Sequence, residues 1–337
     1  MKINHLDLFS GIGGFHLGFE RAGYEITSYF SEIDKHAIAV YKHQFPTSSY
    51  VGSVTDVRGA DLPNINLITF GSPCQDFSLA GKRKGMEGQR SSLVLEAIRL
   101  ISECRPSVFI WENVKGTFSS NDGADFWAII QAFTDIGGYR LEWQLLNTSW
   151  FLPQNRERIY LVGYSTTTSG QGVFPIREET GKPIKIKQTA SLTGGQCGRV
   201  LDSQGIGYAL SASDYKDPMK VEIKTGTNYG YEQAVTGDSI NLSFGNSTTR
   251  RGRVGKQKAQ TLETSCNQAV VENYRIRRLT PIECERLQGF PDQYTAFGNY
   301  DDIVKPMNKS QRYKQCGNAV SVDVVTAIAK KCLPLFK

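Results

Sequence analysis

Two short apolar runs set most of what this chain can become. Residues 65–70 (Ile-Asn-Leu-Ile-Thr-Phe) and 108–111 (Val-Phe-Ile-Trp) are continuous and short, which predicts two buried strands. Each runs directly into residues with chemical potential. The first is followed by Gly71-Ser72-Pro73-Cys74-Gln75-Asp76-Phe77-Ser78, the second by Glu112-Asn113-Val114. In open α/β sheets, ligands bind at the carboxyl ends of strands. A thiol and a carboxylate are therefore expected to face one crevice. Alone, the cysteine reads as a small core residue and the glutamate as a turn residue; together they point to chemistry.

The surrounding sequence alternates in the same way. Strands are expected at 6–9, 25–31, 141–146 and 159–164, and helices at 15–22, 92–104 and 125–136. This is the pattern of a doubly wound, Rossmann-like α/β sheet, parallel except for antiparallel pairing at its end. The turn Ser10-Gly11-Ile12-Gly13-Gly14 lets backbone amides approach a ligand at a helix N-terminus. His16 stands where a dinucleotide fingerprint would have its third glycine, so the phosphate-binding pattern is broken. Glu32, after the second strand, lies where an acidic residue holds ribose hydroxyls in nucleotide-binding folds. Together these features imply a ribose-bearing cofactor without a pyrophosphate. Asp56 is either a further polar contact or a solvated turn residue. Between Cys74 and Arg90 lies a loop carrying Gly81, Gly85, Gly88 and Lys82-Arg83-Lys84, which suggests a lid over an anionic substrate. Arg156 and Arg158, two apart at a strand entrance, are expected on one face; without the cysteine they would read as a surface cluster.

Composition narrows the partners. The chain's 337 residues suggest about two domains. Residues 182–278 hold 15 Lys/Arg against 8 Asp/Glu, whereas the remainder holds 24 against 25. One segment thus carries all the excess positive charge, as an anionic polymer partner would favour. Seven cysteines without a close pair encode neither a disulfide framework nor a metal site. No apolar run is long enough to span a membrane, and the start lacks a signal-peptide core, so a cytoplasmic protein is expected. All four histidines lie within the first 43 residues, ahead of Cys74, which argues against a Cys–His hydrolase. Residues 166–172 read as an exit from the first domain, and the next hundred as a small β-rich or irregular domain. A weak echo links Gly198-Arg199-Val200 to Gly252-Arg253-Val254. Thr280-Pro281-Ile282-Glu283 predicts a capped helix over 281–288. Gln315-Cys316-Gly317-Asn318-Ala319-Val320 is expected to precede a final helix reaching Cys332.

In order, the blocks Asp7-Leu8-Phe9-Ser10-Gly11-Ile12-Gly13-Gly14-Phe15, Glu32-Ile33-Asp34, Pro73-Cys74-Gln75, Glu112-Asn113-Val114, Gln154-x-Arg156-x-Arg158 and Gly317-Asn318-Ala319-Val320 resemble those of bacterial cytosine-5 DNA methyltransferases. The match runs over residues 1–165 and 272–337, with Ala319 where serine is common. The resemblance implies a catalytic domain over 1–175, a target-recognition domain over 176–271, a hinge and return segment over 272–307, and a completing segment over 308–337. It implies S-adenosylmethionine held by Phe9, Gly11, Ile12, Gly13, Gly14, Glu32, Ile33, Asp56, Val57, Pro73, Asn318 and Ala319. Cys74 would add to carbon 6 of a flipped-out cytosine, with Glu112 at ring nitrogen 3 and Arg158 at the carbonyl oxygen; Arg156 would support them or touch phosphate. Gln75, Ser78, Lys82, Arg83, Lys84, Arg250, Arg251 and Arg253 would contact double-stranded DNA, and Asn228 and Tyr229 lie in the region expected to read sequence. No metal is implied. The chain would be a cytoplasmic monomer, with a restriction endonuclease as a separately acting companion. A transfer-RNA cytosine methyltransferase of the same fold is the nearest alternative, and a catalytically silent DNA-binding paralogue the more distant one.

Overall fold

The computed structural model describes residues 1–71, 92–167, 172–177, 200–201, 220–243, 247, 249, 251–272 and 275–336. β1 (Lys2–Leu8) leads through the glycine turn into α1 (Gly14–Arg21), followed by β2 (Glu25–Ser31), α2 (Lys35–Gln44) and the short β3 (Ser49–Tyr50). Then come β4 (Leu67–Gly71), α3 (Ser92–Cys104), β5 (Val108–Val114), α4 (Ala124–Asp135), β6 (Tyr139–Asn147), β7 (Gln154–Asn155) and β8 (Glu157–Ser165). Seven of these strands form one sheet in the order β3-β2-β1-β4-β5-β8-β6. Only β8 runs antiparallel to its neighbours, so the expected sheet and its antiparallel end are both present. The chain builds outward from β1 to β3 and then restarts on β1's other side at β4. That reversal opens a crevice at the carboxyl ends of β1 and β4.

The central strands are apolar on both faces because helices cover both. Val94, Ala97, Leu100 and Ile101 of α3, with Phe126, Ile129 and Phe133 of α4, pack over Leu6, Leu8, Ile68, Phe70, Phe109 and Trp111. Phe15 and Phe19 of α1 pack with Leu67, Val108, Ile110 and Tyr160 on the opposite face. Gly163 of β8 pairs with Phe109 of β5, whose ring occupies the space a Cβ would need.

The basic region folds into small sheets, as its short apolar runs predict. β9 (Val200–Leu201), β10 (Lys220–Lys224) and β11 (Tyr231–Ala234) form one. β12 (Ser239–Asn241) and β13 (Val254–Gly255) join β15 (Gln268–Glu272) and β16 (Arg275–Arg278) in another, and β14 (Ala259–Gln260) lies between β13 and β15 in sequence. Val221, Ile223, Ala234, Ile240, Ala269 and Val271 make a compact core between them. Of the echo's described residues, Val200 pairs in parallel with Lys220, whereas Val254 pairs antiparallel with Ile240. β14 pairs in parallel with β7, tying this region to the segment that leads into β8.

The chain then returns to the first domain. α5 (Pro281–Leu287) opens with the predicted capping box, Thr280 and Glu283 satisfying each other's backbone amides. A hairpin of β17 (Phe297–Tyr300) and β18 (Ile303–Pro306) packs on α2, and α6 (Lys309–Asn318) and α7 (Val322–Cys332) follow. Gln315–Asn318 form the last turn of α6 and precede the final helix α7, which ends at Cys332 as expected. Val324, Val325, Ile328 and Ala329 of α7 complete the core over α1. Among the described residues no helix is long and apolar enough to cross a membrane.

Candidate active site

The crevice has a nucleotide-like end and a catalytic end. At the first, Phe9, Gly11 and Gly13 adopt left-handed backbone, with φ of 50°, 53° and 84°. This folds the turn back beneath the end of β2. The Glu32 carboxylate receives the Gly11 N–H at 2.9 Å, the Ile33 N–H at 2.7 Å and the Asp34 N–H at 2.9 Å. Three amides thus fix the carboxylate, and at least one of its lone pairs stays open for a hydroxyl. Beside it, Ile33 is 79% exposed, an apolar surface with no packing role. The Ser10 hydroxyl is buried and has no hydrogen-bond partner among the described residues. A fixed carboxylate, an exposed apolar platform and an unanswered hydroxyl fit a ribose-bearing ligand with a flat base.

The other predicted cofactor residues divide. Ile12 is buried against α2 and Phe290, so it can offer only backbone, and its carbonyl already accepts the Tyr294 hydroxyl. Val57 is likewise a core residue, whose carbonyl accepts from Arg99. Asp56 is an exposed turn residue, its carboxylate touched among the described residues only by the Thr55 hydroxyl at 3.2 Å. Gly14 abuts Val320, where a Cβ would come within 2.6 Å of a methyl group, so the stretch after α6 docks on the N-terminus of α1. Asn318 is exposed at that junction, and Ala319 is buried. Pro73 lies outside the described residues.

Beneath this turn runs a buried polar chain that the sequence did not announce. His5 Nε2 lies 2.7 Å from the Thr69 hydroxyl, which donates to Asp7 at 2.9 Å; the Tyr41 hydroxyl reaches Asp7 from the other side and also meets Ser28 and His16. Burial raises the Asp7 carboxyl well above the ordinary carboxylate range, against the opposing hydrogen bonds from Thr69 and Tyr41. Burial also lowers His5, helped by the proximity of His16.

At the catalytic end, β4 stops at Gly71, which pairs with Glu112 of β5. A Cβ on Gly71 would sit 3.2 Å from Glu112 Oε2, so the bare glycine admits the carboxylate. Glu112 pairs across the sheet with Tyr160, and Arg158 with Val114. Arg158 Nε lies 3.2 Å from Glu112 Oε1, with both side chains largely buried. That oxygen has no hydrogen-bond partner among the described residues, so the guanidinium holds it by charge and leaves it acceptor-ready. Cys74, Gln75, Ser78, Lys82, Arg83, Lys84 and Arg250 lie outside the described residues.

Two arginines expected near DNA or the base are structural. Arg156 is 4% exposed, and its guanidinium donates to the carbonyls of Ala319 at 2.9 Å and Gly317 at 3.4 Å. It clasps the end of α6, a support for the turn that follows. Arg253, expected to contact DNA, is instead buried, donating to the carbonyls of Asn241 and Lys224 and bracing the small sheets. Arg251 and Tyr229 are exposed.

A cleft of about 300 Å³ connects the catalytic end to the basic region, lined by Val114, Lys115, Gly116, Asn155, Glu157, Arg158, Gln260 and Thr261. The β7–β14 pairing builds its wall, with the Thr261 hydroxyl donating to the Asn155 carbonyl at 2.9 Å. Buried Gln154 anchors the seam, accepting from Leu262 and donating to the Leu287 carbonyl. Lys115, Gln260 and Thr261 were not singled out from sequence. Lys115 had a signal, since it directly follows Glu-Asn-Val. The other two had none, because they lie over a hundred residues away along the chain. Among the described residues no group of three or more His, Cys, Asp or Glu could hold a metal.

Fold and site define an α/β enzyme working at the carboxyl ends of a doubly wound sheet, next to a second, basic region. The model of the C-5 cytosine-specific DNA methylase family matches residues 3–334. The chain is 32% identical over 345 residues to the type II methyltransferase M1.ScrFI of Lactococcus lactis subsp. cremoris, covering 100% of this chain and 79% of that one. It is 30% identical over 328 residues to the type II methyltransferase M.Bsp6I of Bacillus sp. (strain RFL6), covering 96% of each. A crystal structure of a prophage-encoded E. coli chain assigned to the DNA modification methyltransferases shares the fold, with a TM-score of 0.62, 22% identity and 99% coverage of both. The chain belongs to the C-5 cytosine-specific DNA methylase family. It is accordingly a DNA (cytosine-5-)-methyltransferase, and DNA is its substrate class.

Proposed function

We propose that this enzyme methylates carbon 5 of a cytosine turned out of duplex DNA within one specific sequence, as the modification partner of a type II restriction system. The Glu112–Arg158 pair carries the reading: a carboxylate held by charge at the end of β5, next to the strand end that precedes Cys74 by three residues. Carbon 5 of cytosine is a poor nucleophile until carbon 6 has been attacked. A Cys74 thiolate is a suitably soft attacker. Addition pushes electron density onto ring nitrogen 3, where Glu112 supplies a proton or a strong hydrogen bond. Arg158 steadies Glu112 and presents a cation to the neighbouring carbonyl oxygen.

S-adenosylmethionine, when bound, supplies an activated methyl group. Glu32 would take its ribose hydroxyls, Ile33 and Phe9 would flank its adenine, and the Gly11–Gly14 backbone would meet its amino-acid end. Glu32's rigid carboxylate supports this assignment, because fixing the acceptor in advance removes an ordering cost on binding.

The test joins chemistry and substrate. Duplex DNA carrying 5-fluorocytosine in the methylated sequence should be trapped covalently by the wild type and not by Cys74→Ala, with DNA and cofactor binding retained by the variant. Bisulfite sequencing of DNA from expressing cells should reveal one methylated sequence. Turnover near wild type in Cys74→Ala, or methylation confined to transfer RNA, would overturn the proposal.

A further inference from the structure

Lys115 and Glu157 face each other across the mouth of the cleft, Nζ to Oε2 at 2.9 Å, with side chains 58% and 39% exposed. Both are positioned by the machinery already described. Lys115 is the first residue past β5, three beyond Glu112, and Glu157 opens β8, next to Arg158. At a strand rise of about 3.3 Å per residue, Lys115 starts roughly 10 Å along the sheet from Glu112. That is the scale of a single nucleotide, whose base edge and phosphate are separated by a ring and a sugar. A cytosine reaching Glu112 therefore leaves its own backbone near the cleft mouth.

The charges at that mouth are oddly chosen for a site that admits an anionic polymer. Arg158 is already engaged, with Nε facing Glu112 and Nη1 donating to the Glu157 carbonyl at 2.8 Å. Glu157 would repel an approaching phosphate were it bare. Its partner Lys115 neutralises it, but so exposed a pair is held weakly in water, where the Coulomb gain nearly cancels the cost of ordering two side chains. A phosphate can displace Glu157 from Lys115 easily, whereas it cannot displace a partner from the buried Arg156.

We infer that Lys115 is a DNA-binding residue that takes a backbone phosphate of the strand carrying the target cytosine, and that Glu157 occupies it beforehand as a competing anion. This rests on the proposed DNA function and deepens it. The exchange gives no sequence information, since phosphate contacts position without reading. Its effect is to lower the enzyme's grip on all duplexes equally, leaving discrimination to the recognition sheets.

The test is equilibrium binding of the full chain to target and scrambled duplexes across salt concentrations, with KM for DNA and kcat measured alongside. Lys115→Ala should weaken both duplexes alike and make the slope of log K against log[salt] shallower by about 0.9, the value for one lost phosphate contact. KM should rise with kcat nearly unchanged, and Lys115→Arg should restore the slope. Glu157→Gln should tighten binding to both duplexes without a shallower slope. A wild-type slope in Lys115→Ala, or weaker binding in Glu157→Gln, overturns the inference while leaving the DNA function standing. A wild type showing no salt-dependent duplex binding overturns the DNA function and the inference together.

Discussion

Asp7 shows how one side chain can be read correctly as a motif member and still conceal its physics. Its carboxyl is fully buried, raised by desolvation above its ordinary value of 3.8 despite hydrogen bonds from Thr69 and Tyr41. An acid raised on folding holds its proton more tightly in the native state than in the unfolded one. Its contribution to stability is therefore complete below pH 3.8 and is lost as pH rises through the native-state value. Asp7→Asn keeps the shape and an acceptor but never ionises. Above pH of about 4 the wild type should lose stability relative to this variant, by at most about 1.4 kcal/mol per pH unit. Urea unfolding of both proteins at several pH values checks the sign. A wild type that gains on Asp7→Asn with rising pH would mean that the ionised form is the one the fold prefers.

Elements differ in how plainly they announce themselves. β4 and β5 were legible because a continuous apolar run has few other uses, and α5 because its capping box is a local signal. α6 was not, since its sequence Lys-Ser-Gln-Arg-Tyr-Lys-Gln-Cys-Gly-Asn is polar and only Gln315 and Cys316 are buried. Its helicity comes from docking, including the Arg156 clasp on its final carbonyls. The candidate site divides the same way. Glu112 and Arg158 lie on strands, whose alternation fixes direction, while the cleft wall depends on β7 and β14, two-residue strands with no local pattern. Helix packing offers a further test. A Cβ on Gly18 of α1 would lie 2.7 Å from Val325 Cβ on α7, so the two helices meet only because that position is bare. Gly18→Ala should cost roughly 1–3 kcal/mol by overpacking, read from the shift in denaturation midpoint. Adding Val325→Ala should recover part of the loss; no recovery would place the strain elsewhere.

For the whole molecule, the proposed reader of the target is the basic segment. Its sheets have their own core and join the rest of the chain through the β7–β14 pair and through Leu262 and Cys266, which pack with Leu279, Cys284 and Cys316. Exchanging residues 182–271 for those of a relative should therefore exchange the methylated sequence, as bisulfite sequencing would show, with kcat changed far less than specificity. An unchanged sequence would put recognition outside this segment. The packing of α7 has a different consequence, set by time instead of space. Phe15 and Phe19 leave the ribosome early, yet Val325 and Ile328, which cover them, follow roughly 300 residues later. At about 5–20 residues per second, that face of the nascent sheet stays bare for on the order of 15–60 seconds. A growing chain is thus held short of a finished cofactor turn, because Val320 cannot yet brace Gly14. Translation itself delays the enzyme's first methylation until α7 has been made.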